Sequence, residues 1–204
     1  MICETTLTRR VNSIRITAIS RTSTAVIFQK GDQGKLNEEE KPFIFAIDPG
    51  NVESGWAILN DILKPIEFGK TNNEILLEKI VTHNFKYPDS PYFAIEMVAH
   101  YGTGMPAGKT VFDTCVWIGR FWQVTGYIPN RRVIYRKDEK ITLCGNMKAK
   151  DANISQALRD RFGEKGTKRN PGWFFGVSKD VWAAIAVGVA YHDMYLAPKE
   201  GQTA

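Results

Sequence analysis

FIFAIDPGNVESGWAIL, residues 43–59, is the stretch on which the fold turns. Its first half is an apolar run that stops at one acid, Asp48, with Pro49 and Gly50 directly behind it. That is the pattern of a buried strand and the turn that ends it. Its second half contains SGWAIL, again of strand length, and ILKPIEFGKT at 62–71 is a third such run. Three strands joined by short turns predict an antiparallel meander. NNEILLEKIVTHNF at 72–85 sets Leu76, Leu77, Ile80 and Val81 at helical spacing, with Asn72 or Asn73 placed to cap the helix. YFAIEM at 92–97 reads as a fourth strand, again with an acid near its end. A glycine-rich loop follows, then a long helix over VFDTCVWIGRFWQV, 111–124. RRVIYR at 131–136 is a fifth strand and AKDANISQALRDRF at 149–162 a helix. SKDVWAAIAVGVAYHDMYL at 178–196 is an apolar helix rich in small residues, suited to lying flat on a sheet. The order β-β-β-α-β-α-β-α-α predicts an α/β fold, a mixed five-stranded sheet flanked by helices.

Residues 1–41 read differently, as an N-terminal extension or arm: SIRITAI alternates like a strand, and GDQGKLNEEEKP is a polar linker. The main domain is expected at 42–198, with a short tail at 199–204. No run of about 18 apolar residues is present, which argues against a membrane span. The start lacks the apolar stretch of a secretory signal. Three scattered cysteines form neither a disulfide framework nor a zinc pattern. A cytoplasmic protein with reduced thiols is the expectation.

The placement of carboxylates carries the chemistry. Asp48 ends the first strand, Glu96 sits at the end of the fourth, and Asp180 opens the last helix. Each borders an apolar segment, where a lone acid is expensive and calls for a partner or a metal. If the first and fourth strands are neighbours, Asp48 and Glu96 meet at one end of the sheet and Asp180 approaches from the helix. Taken singly, each acid is as well explained by a turn, an ion pair or a helix cap. Their joint placement favours a site for Mg2+ or Mn2+, hard ions that prefer oxygen ligands.

These residues carry a family resemblance. IFAIDPGNVESGWAIL resembles the first motif of RuvC-type Holliday junction resolvases of the ribonuclease H-like superfamily, and FAIEMV resembles their second. GNMKAKDANISQAL resembles the basic segment and helix before their last motif, and KDVWAAIAVGVAYHD that last motif. The resemblance covers residues 43 to about 195. It implies a ribonuclease H-like fold, Asp48, Glu96 and Asp180 as catalytic metal ligands, two Mg2+ or Mn2+ ions, and a phage or prophage branch of the family. It implies a structure-selective endodeoxyribonuclease acting on branched DNA as a homodimer, with the aromatic helix near Trp117 as an interface. The chain departs from the family in one place. A second aspartate usually stands three residues after the first acid of the last helix, and here that position is Ala183. A natural three-acid site, a contribution from Asp151, and an inactive chain all remain open, with the three-acid site preferred. A non-catalytic binder of branched DNA and a nuclease acting on flaps or RNA/DNA hybrids are the rival functions.

Charge placement points to the same partner. The chain has 27 Lys and Arg against 22 Asp and Glu, a net charge of +5. Residues 131–169 hold twelve of the former and five of the latter, which gives +7 there and leaves −2 elsewhere. A basic surface concentrated in one segment suits a polyanion, although a solvated lysine-rich face reads the same way. Lys140, Lys148, Lys150, Lys168 and Arg169 are the expected phosphate contacts, and Lys148 is also placed to neutralise charge in the transition state. Tyr101 and Lys109, in the loop HYGTGMPAGKT, are further candidates for contact with DNA. That loop misses the Walker A spacing, which would need its first glycine at Thr103.

Overall fold

Alternation along the first strand divides the core in two. The computed structural model describes residues 43–86, 92–99 and 108–197. The arm expected at 1–41, the loop residues 100–107 with Tyr101, and the tail at 199–204 lie outside the described residues. Strand β1 (Ile44–Asp48) is fully buried as far as Ile47. Ile44 and Ala46 face one side of the sheet and Phe45 and Ile47 the other, because successive side chains of a strand point to opposite faces.

Strands β2 (Glu53–Leu59) and β3 (Pro65–Asn72) complete an antiparallel meander with β1. After helix α1 (Asn73–Lys86) the chain adds β4 (Tyr92–Met97) parallel to β1. After helix α2 (Lys109–Val124) it adds β5 (Asn130–Tyr135) parallel to β4. The sheet order is β3-β2-β1-β4-β5, which makes β1 and β4 neighbours as expected. Helices α1 and α2 cover the face of Phe45, Ile47, Trp56 and Ile58, through Leu76, Ile80, Ile118 and Phe121. The opposite face carries α3 (Arg136–Cys144), α4 (Asp151–Phe162) and α5 (Lys179–Tyr195).

Small residues let α5 lie close. A Cβ on Gly188 would come within 2.7 Å of Leu59 Cδ1 and 3.1 Å of Ala46 Cβ, so the helix rests almost on the sheet there. Nine of the eleven positions of α5 from Val181 to Tyr191 are buried, as the apolar sequence requires.

One helix differs from expectation. Residues 136–144, RKDEKITLC, form α3, where the sequence reading ended the fifth strand at Arg136 and assigned no helix before 149. The reason is physical. The buried residue of α3 is not apolar but Glu139, so the helix lacks the apolar stripe that marks amphipathic helices in a sequence. It ends at Gly145, whose φ of 62° is the left-handed conformation that closes helices.

Candidate active site

The turn after β1 is fastened from within. The Ser54 hydroxyl accepts from the Gly50 N–H at 3.2 Å and donates to Asn73 Oδ1 at 2.6 Å, and the Asn73 amide returns to the Gly50 carbonyl at 2.9 Å. Ser54 and Asn73 are wholly buried. Asn73 therefore ties the start of α1 to the turn, while Asn72 caps the helix by accepting from the Glu74 N–H. Buried, satisfied polar groups of this kind rigidify the backbone that presents Asp48.

Three elements then converge. Asp48 at the end of β1 pairs in register with Gly55 of β2, and Gly55 with Lys70 of β3. Glu96 enters from β4. A Cβ on Gly55 would lie 2.3 Å from the Asp180 carbonyl oxygen, so the missing side chain is what lets the first turn of α5 settle beside Asp48. Asp48, Glu96 and Asp180 line one cavity of about 250 Å³, together with Arg136, Asp151, Lys179 and Ala183.

Asp48 and Glu96 bring their carboxyl groups within hydrogen-bonding reach of each other. Two ionised carboxylates this close repel, which favours protonation of one of them. Burial, followed by the Glu96 charge, pushes the Asp48 carboxyl up to about 8. Burial, followed by the Glu139 charge, raises Glu96 to about 7. Asp180 is half-exposed and turned to Lys70, whose Nζ lies 3.2 Å from its Oδ2 and 3.3 Å from Glu53 Oε2. Among the described residues, no three His, Cys, Asp or Glu side chains are gathered tightly enough to ligate one ion as they stand. The donor set nevertheless suits a hard divalent cation: carboxylate oxygens only, two of them side by side at the strand ends, where a cation would offset their repulsion.

Arg136, the first residue of α3, is a site residue that sequence reasoning missed. Its guanidinium donates to both oxygens of Glu139 at 2.7 and 2.9 Å and to Asp151 Oδ1 at 2.6 Å, and lies 3.6 Å from Glu96 Oε2. The register Glu96↔Ile134 and Met97↔Tyr135 places the start of α3 beside Glu96. Glu139 is completely buried, and burial raises its carboxyl to about 7. The hydrogen bond from Arg136 holds the Asp151 carboxyl below the usual range. An arginine followed three residues later by a glutamate was the available signal, since i and i+3 share a helix face. Lys70 was missed too, because only the strand register reveals it.

Lys148 is exposed on the α3–α4 connection and does not line the cavity, which takes its cations from Arg136 and Lys179. Lys140 is half-buried on α3, and Lys150, Lys168 and Arg169 are exposed. Lys109 opens α2 and is paired with Asp113. His192 and Asp193 stand apart near the end of α5, where Asp193 is bound to Arg161.

The raised carboxyls give a stability prediction. A carboxyl whose folded value exceeds its unfolded value favours the native state below the unfolded value and loses that contribution as pH rises through the folded one. For Asp48, Glu96 and Glu139 the window runs from about pH 4 to about pH 8. In chelator, the melting temperature should therefore fall between pH 5 and 8, and Mg2+ at pH 8 should recover part of the loss. A melting temperature flat or rising across that window in chelator would contradict the raised carboxyls of Asp48, Glu96 and Glu139.

Comparison with protein-family models gives no match, and comparison with curated proteins gives none. Among solved structures the chain is similar to the Thermus thermophilus RuvC structure, with 15% identity, 73% of this chain and 93% of that chain covered, and a TM-score of 0.53. It is similar also to T. thermophilus RuvC in complex with Holliday junction substrate, with 14% identity, 75% and 94% covered, and a TM-score of 0.55. The fold is ribonuclease H-like, as the element order predicted.

Proposed function

We propose that this ribonuclease H-like chain is a divalent-metal-dependent endonuclease that cuts branched DNA. The observation that carries the reading is the placement of Asp48 and Glu96 side by side at the strand ends, half-buried, with Asp180 in the same cavity. The T. thermophilus RuvC that shares the fold is described in complex with Holliday junction substrate, and a four-way junction is the substrate proposed here.

Asp48 and Glu96 would hold a Mg2+ or Mn2+ ion, with Asp180 joining them on release from Lys70. When bound, such an ion supplies positive charge to a phosphoryl group under in-line attack and eases the ionisation of water. The chain supplies the rest. The Ser54–Asn73 fastening fixes the direction of Asp48, and α5 delivers Asp180 at its first turn. Lys179 and Arg136 add positive charge at the cavity wall. Lys140, Lys148, Lys150, Lys168 and Arg169 would follow the phosphates away from the cut, and Lys109 and Tyr101 are further candidates for contact with DNA. A junction has near two-fold symmetry, so a C2 homodimer matches it. Phe112 and Val116, one turn apart on α2 and both exposed, are the proposed contact.

A non-catalytic binder of branched DNA is the second reading, and Ala183 in the cavity wall is the observation that favours it. One panel separates them: a synthetic four-way junction, a flap, a duplex and an RNA/DNA hybrid, each with Mg2+, Mn2+ or chelator. Metal-dependent cleavage confined to the junction is expected. Preference for flap or hybrid would displace the substrate assignment. Junction binding without cleavage in wild type, with cleavage gained by Ala183→Asp, would establish the second reading. Junction affinity should fall with salt, and loss of one phosphate contact, as in Lys150→Gln, should reduce the log-log slope by about 0.9. An unchanged slope would remove Lys150 from the DNA surface.

A further inference from the structure

Arg136 places a fixed guanidinium in the wall of the carboxylate cavity. Its guanidinium reaches Glu96 and Asp151, both in the cavity wall, and is anchored from behind by the wholly buried Glu139. Glu139 grips it through both oxygens. An arginine is always charged and cannot yield its place by losing a proton. Leaving would strand Glu139 as an unpaired buried acid, which is costly. Arg136 is thus a fixed charge of the site and not a mobile side chain at its mouth.

The charge count agrees. The cavity wall carries four carboxylates, Asp48, Glu96, Asp151 and Asp180, and two cations, Arg136 and Lys179. Fully ionised, these groups leave two negative charges, which one divalent ion neutralises. Behind the wall, Glu139 and Glu53 outnumber Lys70 by one charge, and Glu139 is taken up by Arg136 and Glu53 by Lys70. A second divalent ion would face a cavity wall whose own charge is already neutralised, beside a guanidinium it repels. Ala183 removes a further oxygen ligand from the same wall.

We infer that Arg136 takes the place of a second metal ion, so that the site holds a single divalent cation. This rests on the metal-site reading above. Arg136 acts as a positioning residue, holding Glu96 and Asp151 and supplying in fixed form a charge that a second ion would otherwise bring. Asp151 is thereby a partner of Arg136 and not a metal ligand.

The test is Mn2+ binding to the full chain without DNA, read by calorimetry and by the spin-resonance signal of free Mn2+. The variants are Arg136→Lys and the pair Arg136→Gln with Glu139→Gln. The double variant removes the cation together with the buried acid it neutralises, so the core keeps a hydrogen-bonded neutral pair; circular dichroism checks that it folds. Wild type and Arg136→Lys should bind about one Mn2+ per chain, and the double variant about two, because Glu96 and Asp151 are then free to take an ion. Coupling between two bound Mn2+ ions should appear in the double variant alone. Two ions in wild type, or one in the folded double variant, would overturn the inference and leave the metal-site reading standing. If the double variant fails to fold, Arg136→Lys with two ions overturns it by the same logic. No Mn2+ bound to any of the three would overturn the metal-site reading itself, and the inference with it.

Discussion

Replacing Asp48 by Asn should lower metal-dependent junction cleavage by at least about a hundredfold, the scale of losing one group that stabilises charge in a transition state. Junction binding should stay within a few-fold, since the amide keeps the size and the strand. The same variant should melt higher than wild type in chelator at pH 8. Asp48 is held with its carboxyl raised to about 8, by burial first and by Glu96 second, so at that pH the native state strains against a charge that Asn lacks. Gain of stability with loss of activity is the signature of a group kept for chemistry and not for folding. A variant with wild-type cleavage would remove Asp48 from the site, and a variant less stable at pH 8 would show that its carboxylate is a structural partner.

The second large effect is expected from a residue with no chemistry. Gly55→Ala puts a Cβ 2.3 Å from the Asp180 carbonyl oxygen and 2.9 Å from the carbonyl carbon. Both are backbone atoms and cannot rotate away, so the first turn of α5 must lift from β2. Overpacking of this kind costs about 1–3 kcal/mol, or several degrees in melting temperature for a chain of this size. Activity should suffer more than stability, because Asp180 rides on the displaced turn while the rest of α5 stays anchored by Gly188 against Leu59 and Ala46. A rate within two-fold of wild type, in a variant that melts lower, would mean that the position of Asp180 does not matter to cleavage.

The sheet and the three acids were legible in the sequence for the same reason. β1 and β4 are short apolar runs, and an acid that interrupts such a run at its end stands out against it. α5 was legible from its small apolar residues. What lay beyond the sequence is held together by charge across elements. α3 buries Glu139, and a buried acid gives no periodic signal until its partner is known. Arg136 and Asp151, fifteen residues apart, meet only because α4 folds back against α3. Lys70 reaches Asp180 through the ladder Asp48, Gly55, Lys70, which needs the strand register. The basic segment 131–169 looked uniform in composition, yet it divides into a guanidinium in the cavity wall and exposed lysines, Lys148 among them.

The most direct measurement is single-turnover cleavage of a labelled four-way junction by the wild-type chain, with Mg2+, Mn2+ and chelator compared and Glu96→Gln run beside it. Paired cuts on opposite strands in either metal, silence in chelator, and silence of Glu96→Gln are the predicted result. Cleavage that persists in chelator or in Glu96→Gln, or a wild-type chain that binds the junction and cuts it in neither metal, would contradict the account.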